Sequence, residues 1–335
     1  MARTVSVIVP VYNGAKRIER TLSSIVEQDC DDIEIIVVDD ASSDGTGEVA
    51  KDALARSGRD FRIITREANG GCAASRNSGL REASGDYVIF FDADDIADPD
   101  FVSTLLGAIT KNDSEVAFCG YRKLFEETGE EREVPLGLHH ARHYSAEELT
   151  VMYIFSRIKP AIWTTIFKKS FLTSVGLEFT EVCRFAEDVE FLTKAFSRSR
   201  SIFFSTSCHY TYLQHVDMMS KTTRQTRDKF IRRYADNAAV VCRTARYLAE
   251  HAESPKVRDV AVNFMMAEGL IKTLNVAAMR NDEAEYYRML SEPETRWTLA
   301  ASRRYFFQKP EVFVKAARLL FAPRAYFRKR LKSCG

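Results

Sequence analysis

Short apolar runs alternate with stretches of helical spacing along roughly the first 120 residues of the chain. The apolar runs cover residues 5–12, 33–38, 61–64 and 87–91, and between them apolar residues recur three and four positions apart. Runs of this length that are rich in β-branched and aromatic residues predict buried strands, and the intervening spacing predicts helices. Strands that alternate with helices in this way indicate a parallel, doubly wound α/β sheet covered by helices on both faces.

The pattern is less regular after this region. A fifth strand is predicted over residues 115–121, an exposed hairpin or loop over 124–133, and a helix over 185–197. From about residue 228 the pattern becomes helical. We therefore place a domain boundary near residue 225, which separates an α/β domain (1–225) from a helical C-terminal region (226–335).

Two of the predicted strands end in groups of carboxylates. Asp39 and Asp40 follow the second strand, and Asp92, Asp94 and Asp95 follow the fourth. Open α/β sheets bind ligands beyond the carboxyl ends of their strands, so these side chains mark the predicted active-site crevice. Three carboxylates this close repel one another unless a cation lies among them, and a divalent ion with oxygen ligands would fill that role. The alternative is a solvated acidic turn ahead of the next helix.

Signatures of other nucleotide-binding enzymes do not occur in the sequence. The first strand is followed by Asn13-Gly14-Ala15-Lys16 rather than by the G-x-G-x-x-G of dinucleotide-binding dehydrogenases. A G-x-x-x-x-G-K-[ST] phosphate loop is also absent. The glycine-rich loop with a basic residue that sugar nucleotidyltransferases carry after their first strand is likewise missing. These observations disfavour all three classes of enzyme.

Composition is that of an ordinary globular protein. The 335 residues are 45% hydrophobic and 28% charged, and the net charge of +1 does not predict binding to nucleic acid. The seven cysteines are scattered without a metal-binding pattern, as expected of reduced thiols in a cytoplasm. The N-terminus shows no signal sequence and no apolar stretch approaches membrane-spanning length, so a cytoplasmic protein is predicted.

Five motifs occur in a fixed order along the chain. They are VSVIVPVYN (residues 5–13), VVDDASSDGT (37–46), NGGCAASRNSGL (69–80), GDYVIFFDADD (85–95) and AEDVEF (186–191). In this order and spacing they resemble the inverting glycosyltransferases of family 2 over roughly residues 4–220. The resemblance implies a catalytic domain of the GT-A fold, a Rossmann-related and mostly parallel sheet that binds nucleotide-diphospho-sugars, followed by a helical C-terminal extension.

The resemblance also implies which residues bind the donor. Asp39 would contact the nucleotide base, and Arg76 would offer its guanidinium to the diphosphate. Asp92 and Asp94, the D-x-D pair, would hold Mn²⁺ or Mg²⁺ against that diphosphate. The other implied donor-side positions are Pro10, Val11 and Tyr12 at the base and ribose, Asp92 near the ribose, Ala93 beside it, Asp95 at the donor sugar or a ligand, and His215 at metal or phosphate. Helix N-capping by Asp39 and a surface location for Arg76 are the alternatives.

Glu187 and Asp188 match the Glu-Asp pair of the family. The resemblance assigns general-base catalysis to Asp188, with Glu187 as its partner, because an inverting transfer needs a carboxylate that takes the proton of the acceptor hydroxyl. The alternative is structural, since acidic residues also favour the first turn of a helix.

The C-terminal tail carries a separate signal. Residues 303–332 contain ten basic residues and one acid, interleaved with aromatic side chains. Within residues 312–321 the apolar positions Val312, Phe313, Ala316, Leu319 and Leu320 share one helical face. A basic amphipathic helix of this kind predicts attachment to an anionic membrane surface, with about 1 kcal/mol from each basic residue. The alternative is a helix that packs on the catalytic domain.

Together these observations predict an inverting glycosyltransferase with a nucleotide-sugar donor, most simply a UDP-sugar, and a divalent metal. The predicted acceptor is a hydroxyl of a glycan or lipid-linked molecule in cell-surface polysaccharide synthesis, at the inner face of the cell membrane. A catalytically silent binding or scaffold protein of the same fold is the alternative of a different class. The sequence leaves the donor sugar, the acceptor and the oligomeric state open.

Overall fold

A computed structural model of the protein describes residues 4–182, 184–215 and 226–332. The predicted domain boundary near residue 225 lies outside these ranges. Within them the backbone mixes strands and helices as far as residue 214 and is helical from residue 227 onward. The predicted helical C-terminal region is therefore confirmed.

Internal contacts divide the chain into two compact units, which are Met1–Leu149 with Ser156–Lys221, and Thr150–Phe155 with Thr222–Gly335. The segment Thr150–Phe155 falls inside the predicted first domain but belongs to the second unit. Its apolar side chains explain the difference, because Val151, Ile154 and Phe155 pack into the apolar core of the second unit.

The first unit contains two sheets. The strands of the larger sheet are β1 (Val5–Val11), β2 (Ile33–Asp39), β3 (Asp60–Thr65), β4 (Tyr87–Phe90), β6 (Val116–Phe118), β9 (Arg142–Tyr144), β10 (Thr165–Lys168) and β11 (Ile202–Phe204). The strands of the smaller sheet are β5 (Ile96–Ala97), β7 (Tyr121–Phe125), β8 (Glu130–Glu133) and β12 (Tyr210–Gln214). The single strand predicted over residues 115–121 is therefore wrong, because β6 and β7 enter different sheets.

The larger sheet has the strand order β3-β2-β1-β4-β10-β6-β11-β9. Its first four strands are parallel, and β1, β2 and β4 are buried throughout, as helices on both faces require. The predicted mostly parallel sheet is confirmed in this half. The sequence did not predict β10, which lies antiparallel between β4 and β6, because its pairing partners are distant in the chain.

The helices of the first unit are α1 (Ile18–Val26), α2 (Thr46–Ala55), α3 (Cys72–Glu82), α4 (Phe101–Lys111), α5 (Ala146–Ile154, whose last residues join the second unit), α6 (Lys169–Ser174) and α7 (Glu187–Arg198). Helix α3 lies directly on the sheet. A side chain at Gly79 would place its Cβ 2.4 Å from Cγ2 of Ile8 on β1, so glycine permits this close approach. This close approach determines how far the preceding residues of α3, including Arg76, lie from the sheet.

The second unit is formed by α8 (Arg227–His251), α9 (Pro255–Val260), α10 (Met266–Met279), α11 (Glu283–Ser291), α12 (Pro293–Ala301), α13 (Pro310–Phe321) and α14 (Pro323–Lys332). A π-helical turn, Ala261–Met265, joins α9 to α10. Leu248, Phe264, Leu274 and Tyr286 lie in its buried core. Among the described residues, no helix combines the length and the apolar character needed to cross a bilayer.

Glu34 of β2 organises the amino-terminal side of the acidic strand β4. Its buried carboxylate accepts hydrogen bonds from Ser6 Oγ, from Ser84 Oγ at 2.8 Å and from the Gly85 N–H at 2.9 Å. Burial raises the pKa of Glu34, but the hydrogen bonds to Ser6, Ser84 and Gly85 outweigh it and hold the pKa below its usual value. The ionised carboxylate thus fixes the turn that leads into β4.

We expect Glu34→Gln to lower the free energy of unfolding by about 1–3 kcal/mol, because an amide leaves buried donors without an acceptor. The folded-state pKa is depressed, so the contribution is complete above the ordinary value of 4.5 and is lost as the pH falls through the lowered pKa. Urea unfolding at several pH values measures the difference. Glu82→Gln, at an exposed ion pair with Arg62, is the matched control, and an equal loss there would contradict the assignment.

Candidate active site

The carboxyl ends of β1, β2 and β4 meet at one edge of the larger sheet. β1 pairs with β4 only as far as Ile8 opposite Phe90, but with β2 as far as Val11 opposite Asp39. The chain therefore leaves β4 towards Asp92 just where β1 and β2 continue. This edge is a switch point between sheet neighbours, the position at which open α/β sheets bind their ligands.

Three of the predicted donor positions lie at the end of β1, beyond the residues that pair with β4. Pro10 and Val11 are buried there, and Tyr12 is 54% exposed beyond the strand end. Ala93 lies in the loop after β4, where its carbonyl oxygen accepts a hydrogen bond from Thr21 Oγ1 of α1 at 2.9 Å. The predicted contacts of these residues with a base and ribose stay predictions.

Asp39 and Asp40 both fix backbone turns. Oδ1 of Asp39 accepts the Ser42 N–H at 3.0 Å, which fixes the turn after β2; it does not cap α2, whose N-cap residue is Gly45. Asp40 accepts the N–H groups of Gly70 at 3.0 Å and Gly71 at 2.7 Å, and so fixes the turn that begins α3. The Ser42 N–H contacts only Oδ1 of Asp39, so the predicted role of Asp39 at the base stays open.

Arg76 of α3 joins the acidic loop after β4 to the start of α7. Its Nη2 lies 2.9 Å from Oδ1 of Asp92, and its Nη1 lies 3.3 Å from Oε1 of Glu187. The side chain is only 4% exposed, and its guanidinium lies 5.3 Å from the ring centroid of Phe179. The surface location considered for Arg76 is therefore wrong: this cation lies buried among the predicted donor and catalytic residues.

Burial and charge act against each other on the carboxylates that contact Arg76. Burial raises the pKa of Asp92, Arg76 lowers it, and the neighbouring Asp94 raises it again, with a net increase. Burial likewise raises the pKa of Glu187, against the lowering effect of Arg76. Arg76 thus keeps two desolvated carboxylates together in a pocket that would otherwise favour their protonation.

Asp188 differs from Glu187 in its surroundings. Its Oδ1 accepts the Val189 N–H at 2.8 Å at the first turn of α7, and the side chain is only partly buried. The residue before the pair, Ala186, has a φ angle of 61°, in the left-handed region that residues with a Cβ seldom adopt. This turn starts α7 with Glu187 on Arg76 and leaves Asp188 without a cation partner among the described residues.

Asp94 and His215 form the part of the site that suits a cation. His215 Nε2 lies 3.3 Å from Asp94 Oδ2, and the Asp94 carboxylate is 42% exposed. His215 Nδ1 is buried without a hydrogen-bond partner among the described residues. Carboxylate oxygens suit Mg²⁺ and Mn²⁺, and Asp92 adds a further carboxylate whose Oδ1 is on Arg76. The chemistry of these side chains, rather than a completed cluster of ligand atoms, therefore suits a divalent ion.

A second group of metal-type side chains lies elsewhere. Within the described residues, Asp98, Asp100 and His209 bring potential ligand atoms within 4.8 Å of one another. Asp98 is paired with the guanidinium of Arg122, with one contact at 3.0 Å, and His209 Nδ1 lies 2.9 Å from Asp100 Oδ1. Asp98 already has a cation partner in Arg122, so we assign no metal to this group.

The fold and the Arg76 cluster can now be compared with known proteins. A family profile described as "Glycosyl transferase family 2" matches residues 6–169, which include Asp39, Arg76 and the D-x-D pair. Residues 6–169 of the chain belong to glycosyltransferase family 2. The predicted family is thereby confirmed.

A curated relative in this family has a similar sequence. EpsJ of Bacillus subtilis, described as an uncharacterized glycosyltransferase, is 30% identical over 224 residues. The match covers 66% of this chain and 64% of EpsJ, so the chain spans somewhat less than two thirds of that relative.

Solved structures confirm the GT-A fold of this family 2 protein. S. aureus TarS 1–349 in complex with UDP-GlcNAc has a TM-score of 0.69 at 22% identity, over 99% of this chain and 90% of that one. The mannosyltransferase PcManGT from Pyrobaculum calidifontis, in complex with GDP-Man and Mn²⁺, has a TM-score of 0.54 at 18% identity, over 97% of this chain and 88% of that one.

One predicted donor contact of the family 2 site needs correction. Asp95 is fully buried, its Oδ2 accepts the Tyr210 hydroxyl at 2.8 Å, and its Oδ1 accepts the Leu213 N–H at 2.8 Å. Burial, followed by the charges of Asp92 and Asp94, raises its pKa well above the usual value. Asp95 therefore connects the acidic loop to β12, the strand that ends just before His215, which is the orienting role predicted beside contact with a donor sugar; its side chain has no exposed surface for that contact.

Asn77 is a positioning residue that sequence analysis did not identify. Its Nδ2 donates to the Phe179 carbonyl and to Glu181 Oε1, both at 2.9 Å, and its Oδ1 accepts the Phe179 N–H at 2.8 Å. It thereby ties α3 to the segment that leads to Glu187. Its place beside Arg76 in the NGGCAASRNSGL motif was the available signal, but its partners are about 100 residues away in sequence.

We expect Tyr210→Phe to lower the free energy of unfolding by about 1–3 kcal/mol, because it removes a donor from the buried Asp95 carboxyl. Tyr212→Phe is the matched control on the same strand, since Tyr212 is only partly buried. Chemical denaturation of both variants provides the measurement. Equal stability of the Tyr210 variant and the wild type would show that the Asp95 contact does not hold the loop.

Proposed function

We propose that this protein is an inverting glycosyltransferase that transfers a sugar from a UDP-sugar to a hydroxyl group of a glycan or lipid-linked acceptor. The observation that carries the proposal is the buried Arg76 between Asp92 of the D-x-D pair and Glu187 of the Glu-Asp pair. A single cation thus joins the motif expected to bind the leaving group to the motif expected to hold the base. The complex of S. aureus TarS with UDP-GlcNAc, which has the same fold, supports a UDP-linked donor.

Asp188 acts as the general base in this proposal. The acceptor oxygen attacks the anomeric carbon, its proton passes to the Asp188 carboxylate, and the bond from the anomeric carbon to the diphosphate oxygen breaks. The nucleoside diphosphate leaves with the bonding electron pair, and the configuration at the anomeric carbon inverts. Glu187 is a weaker candidate for the base because Arg76 binds its carboxylate, whereas Asp188 makes no ion pair with a described residue and accepts the Val189 N–H at the start of α7.

Arg76 also serves the leaving group in this proposal. A bound diphosphate can draw the guanidinium away from Asp92 or share it, because arginine presents donors on several nitrogens and its buried Nε has no partner among the described residues. Burial strengthens the interaction, since the same charges attract more strongly where water is excluded.

Asp94 and Asp92 would hold Mn²⁺ or Mg²⁺, with His215 beside Asp94. When bound, the ion would neutralise charge that develops on the diphosphate leaving group. The complex of PcManGT with GDP-Man and Mn²⁺, which has the same fold, supports a divalent ion in this role.

The acceptor and the setting belong to the same proposal. We assign the protein to cell-surface polysaccharide synthesis on the cytoplasmic side of the cell membrane, where nucleotide sugars are available and lipid-linked acceptors can be reached. The general test is a thermal-shift panel of nucleotide sugars with and without Mn²⁺, followed by measurement of UDP release. Donor binding without transfer to any hydroxyl acceptor or water would favour a silent member of the family.

Asp188→Asn should retain UDP binding and lower the transfer rate by about 10²- to 10⁴-fold, because the amide cannot accept the acceptor's proton. Single-turnover assays with the donor identified in the panel measure the loss. Asp52→Asn, at an exposed position on α2, is the control and should leave the rate unchanged. Full turnover by the Asp188 variant would move the base to another residue.

Asp94→Ala should abolish the dependence of UDP binding on Mn²⁺, because it removes the exposed carboxylate beside His215. Isothermal titration calorimetry with UDP in the presence and absence of Mn²⁺ measures this. Asp100→Ala, in the second carboxylate–histidine group, is the control and should keep the Mn²⁺ dependence. If Asp100→Ala lost the Mn²⁺ dependence and Asp94→Ala kept it, the metal site would lie at Asp98, Asp100 and His209.

A further inference from the structure

The amphipathic face predicted for the tail is covered in the structure. Val312, Ala316 and Leu319 of α13 are buried in the core of the second unit, together with Tyr326 and Phe327 of α14. The prediction that the face containing Val312, Ala316 and Leu319 meets a membrane is therefore wrong. These helices use their apolar faces to complete a helical core, so any surface for a partner must lie on their outward faces.

The outward face of α13 carries an unusual apolar residue. Val314, Arg318 and Phe321 recur at spacings of four and three, so they share the side of the helix opposite Val312 and Leu319. Phe321 is 86% exposed and Val314 is 40% exposed. An aromatic ring this exposed at a helix end leaves apolar area in water that a partner would bury.

The outward face of α14, the helix that follows Phe321 in the chain, carries positive charge. Tyr326 and Phe327 point into the core, and the exposed positions of the helix include Arg324, Arg328 and Lys329. Arg318 precedes Phe321 by three residues on the same face of α13, and Arg324 lies in the first turn of α14, three residues after Phe321 in the chain. We call Val314, Arg318, Phe321, Arg324, Arg328 and Lys329 the C-terminal surface.

Among the described residues, none forms an ion pair that balances the charge of this surface. Arg318, Arg324, Arg328 and Lys329 make no ion pair with any residue that the structure describes. Glu311, the acid within residues 303–332, lies 3.9 Å from Lys309 and is exposed at the opposite end of α13. The surface therefore combines an exposed ring with cations whose counterions must come from solvent or from a partner.

We propose that the C-terminal surface docks on an anionic lipid bilayer, with Phe321 inserted at the level of the headgroups and the flanking basic residues on lipid phosphates. The charge complementarity selects this occupant, because basic side chains around an apolar anchor match the two forces that hold interfacial helices on anionic membranes. The surface belongs to the second unit and includes no residue of the transfer site, so the proposal stands or fails separately from the proposed reaction.

Co-sedimentation of the full chain with vesicles of phosphatidylcholine, with and without phosphatidylglycerol, tests the proposal. We expect binding that requires phosphatidylglycerol and weakens with salt, since the basic residues act through screened charge. Phe321→Ser should weaken the partition coefficient about tenfold, as expected for loss of a partly buried aromatic anchor. Arg324→Gln and Arg328→Gln should each weaken it about fivefold, the equivalent of about 1 kcal/mol.

Trp297→Ser is the matched control. Trp297 is 67% exposed on α12 of the same unit but lies beside Glu294, so its loss should not change vesicle binding. All substituted side chains are exposed, so thermal unfolding should be unchanged and confirm that each variant folds. UDP binding should also be unchanged, which separates failure of docking from failure of the transfer site.

Three results would overturn the proposal. The first is equal partition of the wild type and the Phe321 and arginine variants onto phosphatidylglycerol vesicles. The second is loss of self-association on Phe321→Ser in light scattering without any vesicle binding, which would make the surface an interface between copies of the chain. The third is binding to single-stranded RNA that the arginine substitutions weaken while vesicle binding is absent.

Discussion

The buried Arg76 is the interaction on which the candidate site depends. It contacts one carboxylate from the loop after β4 and one from the start of α7, which are almost 100 residues apart in sequence. A buried guanidinium is stable only when its charge is compensated, and a buried carboxylate pair is stable only with a cation between them. Arg76 therefore holds both carboxylates in place, and its loss would leave the two without their cation, at a cost of about 3–5 kcal/mol.

The surrounding elements restrict where this cluster can lie. Gly79 lets α3 descend onto β1, Asp40 fixes the turn that begins α3, and Asn77 ties the same helix to the segment before Glu187. On the other side, Asp95 and Tyr210 join the acidic loop to β12 ahead of His215. Several polar side chains near the site thus hold the backbone in place. Fewer polar side chains are therefore available to contact a ligand than the motifs alone suggest.

Neighbouring acidic residues of the site have different contacts because of this geometry. Asp94 is exposed next to His215, whereas Asp95, the next residue, is fully buried, because the chain turns inward between them towards β12. Glu187 and Asp188 differ in the same way, since one contacts Arg76 and the other the start of α7. Adjacent residues with the same charge can therefore have opposite roles, one in binding or chemistry and the other in positioning.

The sequence by itself determined the parallel half of the sheet, the family and the position of the D-x-D and Glu-Asp motifs, because these depend on local periodicity and on short motifs. It could not determine that β10 lies antiparallel beside β4, that Arg76 is buried between two carboxylates, or that Asp95 turns away from the donor. It also gave the wrong outward face for α13, since periodicity identifies an apolar stripe but not what covers it. Those properties depend on which distant residues meet, and burial and charge compensation at such contacts are decided only when the chain is folded.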